Sequence, residues 1–280
     1  MKKLVLALAA VATFSAPALA ADLRAKAPMR AAPVAYAPSW TGFWISGGFG
    51  YGMAQLEHAE YNLPAPLANG LQVSTGQDAS GKGWLAKVGA GADYQFAGPM
   101  GNWVIGAFAD ADWSNIGGQY SMNVAGVPGA LIAASNLTGQ FRNDYSWAVG
   151  ARIGYVALPG LLTYFNAGYT QAHFEQTNYF NTNNPAAPLA TGISLGSHTR
   201  NGYFLGGGTE YAVSQLPGLF WKNEVRFSDF GNQTHTLVCT TGVGCGVGNV
   251  LTQTSRFYEQ KATTELVYRF NWGGPVVAKY

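Results

Sequence analysis

The sequence predicts an all-β fold, an eight-stranded antiparallel β-barrel that crosses a membrane with its strands. Three observations predict it. The chain opens on an export-type leader, the rest is poor in charge yet lacks a helix-length apolar run, and apolar and polar residues alternate with a period of two through eight segments.

The leader is Met1-Lys2-Lys3, an apolar run from Leu4 to Phe14, and Ala18-Leu19-Ala20. A basic start, a short apolar stretch and a small-x-small end describe a signal peptide over 1–20, cut between Ala20 and Ala21. Its apolar run is too short to span a bilayer as a helix. Of the 16 basic and 14 acidic residues, Lys2 and Lys3 leave with the leader, so the signs then balance. A neutral chain argues against nucleic acid as a partner.

Charged residues make up 11 % of the chain, against about 25 % in an ordinary soluble protein. Aromatics reach 14 % and there are 37 glycines. No run of about 18 apolar residues follows Ala20, which excludes helical spans. Only a closed barrel satisfies backbone polar groups in lipid without helices. An exported barrel of this kind belongs in the outer membrane of a bacterial cell.

Residues 21–40 are rich in Ala and Pro and read as a flexible periplasmic tail. The barrel is expected over 41–272, with a short tail at 273–280. Strand-type segments run over about 42–57, 82–97, 102–119, 140–158, 161–178, 199–215, 219–237 and 253–271. Three connections are tight and hold Gly98-Pro99, Pro159-Gly160 and Pro217-Gly218. Four are long, near 58–81, 120–139, 179–198 and 238–252. Short periplasmic turns alternating with long extracellular loops are the outer-membrane pattern, and an even strand count puts both termini in the periplasm.

The two faces of each segment separate cleanly. Val88, Ala90 and Ala92 oppose Lys87 and Asp93; Ile105, Ala107 and Ala109 oppose Asp110 and Asp112; Val149, Ala151 and Ile153 oppose Arg152. Leu205 and Tyr211 oppose Glu210, Val225 and Phe227 oppose Lys222, Glu224 and Arg226, and Leu266, Tyr268 and Phe270 oppose Glu265 and Arg269. The polar face is mostly glycine plus those eleven charges, too sparse to solvate an exterior. A Lys or Arg at mid-depth in lipid would cost about 2–4 kcal/mol. The charges are therefore expected in the lumen, which in an eight-stranded barrel is just wide enough for side chains. Nearly balanced in sign, they should pair and plug it.

Cys239 and Cys245 share the last long connection, and in an oxidising location they read as a loop-clamping disulfide. No His or carboxylate accompanies them at ligand spacing, so no metal site is expected. The histidines, His58, His173, His198 and His235, fall at or near the long connections and read as ordinary loop residues, with a surface metal or haem contact as the sharper reading. Ser197-His198 are neighbours in sequence, which is no nucleophile–base arrangement by itself. Asp110 and Asp112 beside lumen bases read as structural. Gly206-Gly207-Gly208 is no phosphate loop, since no helix follows. Neither an enzyme nor a cofactor is expected.

With those residues assembled, the chain resembles the small porin-like outer-membrane β-barrel family of alphaproteobacteria, related to the membrane domain of OmpA. The resemblance rests on Ser39-Trp40-Thr41-Gly42-Phe43-Trp44 with Gly50-Tyr51-Gly52, and on the aspartate-rich stretch 106–118. Arg152-Ile153-Gly154-Tyr155, Gly206 to Tyr211, Glu224 to Gly231 and Tyr268-Arg269-Phe270 continue it. It implies an abundant surface protein that supports envelope integrity among lipid and lipopolysaccharide and sometimes contacts a host. It also implies a terminal strand, with Tyr268 and Phe270, that is read by the barrel-assembly machinery. The function expected is that of a closed structural and surface-antigen barrel supporting the envelope; the alternatives are a small-solute channel and a ligand-binding or adhesive module built on the long loops.

Overall fold

In a computed structural model the described residues are 38–62, 72, 74, 77–124, 135–240 and 248–270. The leader with its Ala20-Ala21 cleavage site, residues 21–37, the C-terminal tail and Cys245 lie outside them. Ten strands follow one another: β1 (Gly42–Asn62), β2 (Gln77–Gly98), β3 (Gly101–Val124), β4 (Ser135–Leu158), β5 (Leu161–Phe174), β6 (Thr177–Asn181), β7 (Leu189–Leu195), β8 (His198–Ala212), β9 (Leu219–Cys239) and β10 (Gly248–Phe270). Among the described residues there is no helix. Eight strands close a ring in the order β1-β2-β3-β4-β5-β8-β9-β10, with β10 pairing back onto β1 and every neighbour antiparallel. β6 and β7 form a hairpin on the rim, bonded to the ends of β4 and β9.

The strands run further than the sequence pattern suggests. β1 to β4 hold 21 to 24 residues each, whereas crossing a bilayer takes about 9–11. Much of what reads as long loop is therefore ladder that continues past the apolar belt, and the stretch 179–198 supplies most of the β6–β7 hairpin. The tight turns are where Pro and Gly forecast them. Gly101, Gly160 and Gly218 take positive φ of 131°, 86° and 88° there, a region that glycine enters without steric cost.

The pleat separates the two faces as expected. Val149 is 43 % exposed while Arg152 on the same strand is 5 % exposed. Ile105, Phe165, Leu205 and Val225 also face outward, the reverse of a soluble protein. Trp84, Trp113, Tyr145 and Tyr203 stand exposed along one edge of this belt, and Tyr94, Tyr211, Trp221 and Tyr268 along the other. Those are the positions of interfacial girdles.

Alternation breaks in two places. In β4 a register shift at Asn143/Tyr145 moves the inward set from Phe141 and Asn143 to Ser146 and Ala148. In β9, Gly231 takes φ +61° and the inward set passes from Arg226, Ser228 and Phe230 to Leu237 and Cys239. A one-residue irregularity of this kind turns every later side chain to the other face.

Candidate functional site

Inside the ring the side chains form layers. Nearest the tight turns, Trp40, Val104, Leu162, Phe220 and Val267 make an apolar floor. Trp40, at the end of the stretch read as tail, is 1 % exposed, with its ring 4.9 Å from that of Phe220. Above the floor sit two arginines and two carboxylates. Arg152 Nε donates to Asp93 Oδ1 at 2.8 Å and Nη1 to Glu210 Oε2 at 3.2 Å. Arg269 donates from Nη1 to Asp93 Oδ2 and from Nη2 to Glu210 Oε1, both at 2.7 Å. The two forks thus bridge the same pair of acids from β2 and β8, and each guanidinium also lies over a ring, Arg152 over Trp44 at 4.8 Å and Arg269 over Trp40 at 4.9 Å.

The charges of the next layer come from four strands, β2, β3, β9 and β10. Arg226 donates to both oxygens of Asp110 at 3.0 and 2.8 Å and to Glu224 Oε1 at 2.8 Å. Lys87 Nζ lies 3.4 Å from Asp110, 3.2 Å from Glu224 and 3.6 Å from Glu265. Lys222 Nζ reaches Glu265 at 2.9 Å. Tyr164 and Asn166 donate to Glu224 Oε2 at 2.9 and 2.8 Å, and Ser46 donates to Glu265 at 2.6 Å. Phe108 and Phe204 face Arg226.

A third layer turns on Lys261, whose Nζ contacts Asp112 at 3.0 Å and Glu259 at 2.9 Å. Ser146 donates to Asp112 and Asn143 to Glu259. All eleven charges named from the sequence are buried and ion-paired. Sequence reasoning missed Lys261 and Glu259. They share the inward parity of Glu265 and Arg269, so continuing that stripe one turn of the pleat further would have found them.

Beyond the belt an apolar chamber fills the ring: Leu56, Ile116, Met122, Leu137, Phe141, Phe174, Ile193, Leu237 and Phe257 are packed together. No sequence pattern announces it, because Met122, Leu137 and Ile193 fall in stretches that read as loop and the other six lie towards the outer ends of different strand-type segments. A polar knot lies beside it. His58 Nδ1 is 2.9 Å from Glu60 Oε1, Gln253 donates to the same oxygen at 2.9 Å, and Ser74 donates to Glu60 Oε2. Together these bonds outweigh desolvation and hold the Glu60 carboxyl below its usual range. Here the hydroxyl of Ser74 meets a carboxylate rather than an imidazole, the wrong order for an activated nucleophile. His198 Nδ1 is bonded to Gly196 O at 3.1 Å. Cys239 is buried and disulfide-bonded; Cys245 lies outside the described residues. Tyr268 and Phe270 stand exposed on β10 with ring centroids 4.9 Å apart. On the outer surface, above the belt, a groove of about 980 Å³ opens between β3, β4 and β6, edged by Asn115, Gln140, Arg142, Asn178 and Phe180.

A ring of strands with grease outside and every central charge paired inside has one stable setting, a lipid bilayer. The molecule is a β-barrel protein of the outer membrane. Its relatives carry the same address. The chain is 26 % identical over 244 residues to the 25 kDa outer-membrane immunogenic proteins of Brucella abortus, Brucella melitensis and Brucella suis, a match that covers 86 % of this chain and 90 % of theirs. No family model matches the chain. Among solved structures, the outer-membrane protease OmpT of Escherichia coli aligns with a TM-score of 0.48 at 10 % identity, over 85 % of this chain and 99 % of that one. OprG of Pseudomonas aeruginosa aligns with a TM-score of 0.46 at 11 % identity, over 84 % of this chain and 99 % of that one.

Proposed function

We propose that the protein is a closed structural and surface-antigen barrel that supports the envelope and neither conducts solutes nor catalyses a reaction. The eight-stranded ring is the transmembrane barrel, with the tight turns in the periplasm and the extended strands, long connections and β6–β7 hairpin outside the cell. One observation carries the reading: six basic and seven acidic side chains pair with one another in stacked layers between an apolar floor and an apolar chamber. An ion crossing it would have to displace bonds made in a low dielectric, where each is strong. The word "immunogenic" in the relatives' name accords with strands that reach well beyond the bilayer. On this reading Tyr268 and Phe270 engage the barrel-assembly machinery, lipopolysaccharide surrounds the girdle, and Cys239 with Cys245 clamps the last connection.

Planar-bilayer recording tests the proposal. The purified protein should be electrically silent, and Arg152→Ala or Glu224→Ala should open measurable conductance. Steady, large, salt-dependent steps from the unaltered protein would instead favour a small-solute channel. The outer groove between β3, β4 and β6 favours a second reading, a loop-based binding module. In that case deleting 183–188 would abolish binding to cells or glycans without disturbing assembly.

A further inference from the structure

Arg200 on β8 is 2 % exposed and projects into the ring beyond the belt. Its guanidinium donates to Ser255 O at 3.2 Å and to Ser255 Oγ, and lies 5.6 Å over the ring of Phe174. These partners are neutral. Every other buried Lys or Arg among the described residues lies within 4 Å of a carboxylate.

The carboxylates of that half of the molecule are accounted for elsewhere. Glu60 is held by His58, Ser74 and Gln253, Asp144 by His173, Glu175 by Arg142, Asp229 by Arg256 and Glu259 by Lys261. Glu57 and Asp78 face outward. The connecting stretches 63–76, 125–134 and 241–247 contain no Asp or Glu at all. Tyr120, which lines the same cavity, has its hydroxyl pushed up to about 12 by burial and stays neutral.

Beside Arg200 lies a cavity of about 20 Å³, whose polar lining is Arg200, His198, Tyr120, Thr177 and Gln253. His198 Nε2 is buried with no hydrogen-bond partner among the described residues. The His235 ring sits 4.1 Å away, and its Nε2 is likewise unpartnered. Burial pushes both imidazoles down, His198 to about 4, with Arg200 adding to the effect in each case. A transition metal would suit two imidazoles, but the unneutralised guanidinium repels it. The site is short of one negative charge, and a cavity this size admits one particle about as large as water.

We propose that Arg200 binds a single chloride ion within the outer half of the ring, against its guanidinium; His198, whose Nδ1–H is spent on Gly196 O, lines the cavity without donating to the ion. An isolated buried guanidinium is costly in a low dielectric, and a monatomic anion beside it removes most of that cost. The ion would tie β5, β8 and β10 together where β8 and β9 have stopped pairing beyond Tyr203↔Asp229.

The test uses the full-length protein in detergent micelles, with chloride exchanged for gluconate at fixed ionic strength. Chloride should raise the urea midpoint progressively, as expected of a ligand held only by the folded state, and should broaden the ³⁵Cl resonance. Arg200→Met, which keeps the side-chain bulk and removes the charge, should lose both effects and be at least as stable as wild type in gluconate. Bromide-soaked crystals of the unaltered protein should show anomalous density against Arg200, so the proposal stays testable if the variant does not fold. Equal midpoints in both salts with no broadening, broadening that persists in Arg200→Met, or the absence of bromide at Arg200 would overturn it.

Discussion

Glu210 gives the sharpest test of the lumen. It is 0 % exposed and accepts three hydrogen bonds from two arginines, at 3.2 Å from Arg152 and at 2.9 and 2.7 Å from Arg269. Glu210→Gln keeps the shape, removes the charge and turns an amide toward guanidinium groups that can only donate. Asp93 is then left as the sole carboxylate for two buried cations. Removing one partner of a buried pair costs about 3–5 kcal/mol, because the other charge stays behind uncompensated. With a urea slope of about 2 kcal/mol per M, the midpoint should fall by roughly 2 M. Tryptophan fluorescence of the protein in lipid vesicles would follow the transition. Adding Arg152→Met should recover a large part of the loss, since removing both partners of a buried pair can be nearly neutral, and the double-mutant cycle should give a coupling above about 1 kcal/mol. A loss under about 1 kcal/mol with no coupling would mean that these groups are bathed in water and that the lumen is open.

Other outcomes follow from the same geometry. Val149→Lys, at an exposed mid-belt position, should cost about 2–4 kcal/mol in vesicles, whereas Lys82→Val, beyond the belt, should leave the midpoint nearly unchanged. Gly106→Ala should destabilise and lower assembly yield, because a methyl there would overlap Asp93 Oδ1 and push the carboxylate off Arg152. His198 binds its proton only near pH 4 in the fold but near 6.5 when unfolded. Between those values the unfolded state holds more protons, so this group's contribution is full above 6.5 and is lost as pH falls toward 4. His198→Phe should flatten that part of the pH–stability curve, measured as urea midpoints at pH 7, 5.5 and 4.5.

The transmembrane part of the fold was legible because lipid and lumen impose a strict period of two. Val149 beside Arg152, or Val225 beside Arg226, leaves only one orientation of the pleat. The tight turns were legible because Pro and Gly have fixed backbone uses. What lies past the belt was not, for two physical reasons. The stretch 179–198 is rich in Asn, Pro and Ala, poor strand formers, yet β6 and β7 form there because β4 and β9 offer unpaired edges. The shifts at Asn143/Tyr145 and Gly231 exchange inside for outside, so a parity counted from the belt would put Phe141 outside and leave His235 off the inner face it shares with His198. Arg200 itself was readable from the sequence as an inward residue of β8, but its lack of a counter-charge emerges only when every carboxylate has been placed.

The seam between β1 and β10 has a consequence for how the molecule is made. These strands pair without interruption from Phe43↔Phe270 to Asn62↔Leu251, so the first strand to be synthesised waits for the last. Until then both margins of the growing sheet carry open backbone groups that can capture other chains, and contacts spanning most of the chain form slowly. Such a polypeptide has to be kept from folding and escorted until its final residues arrive, and a version truncated before β10 would be a nucleus for aggregation rather than a smaller barrel.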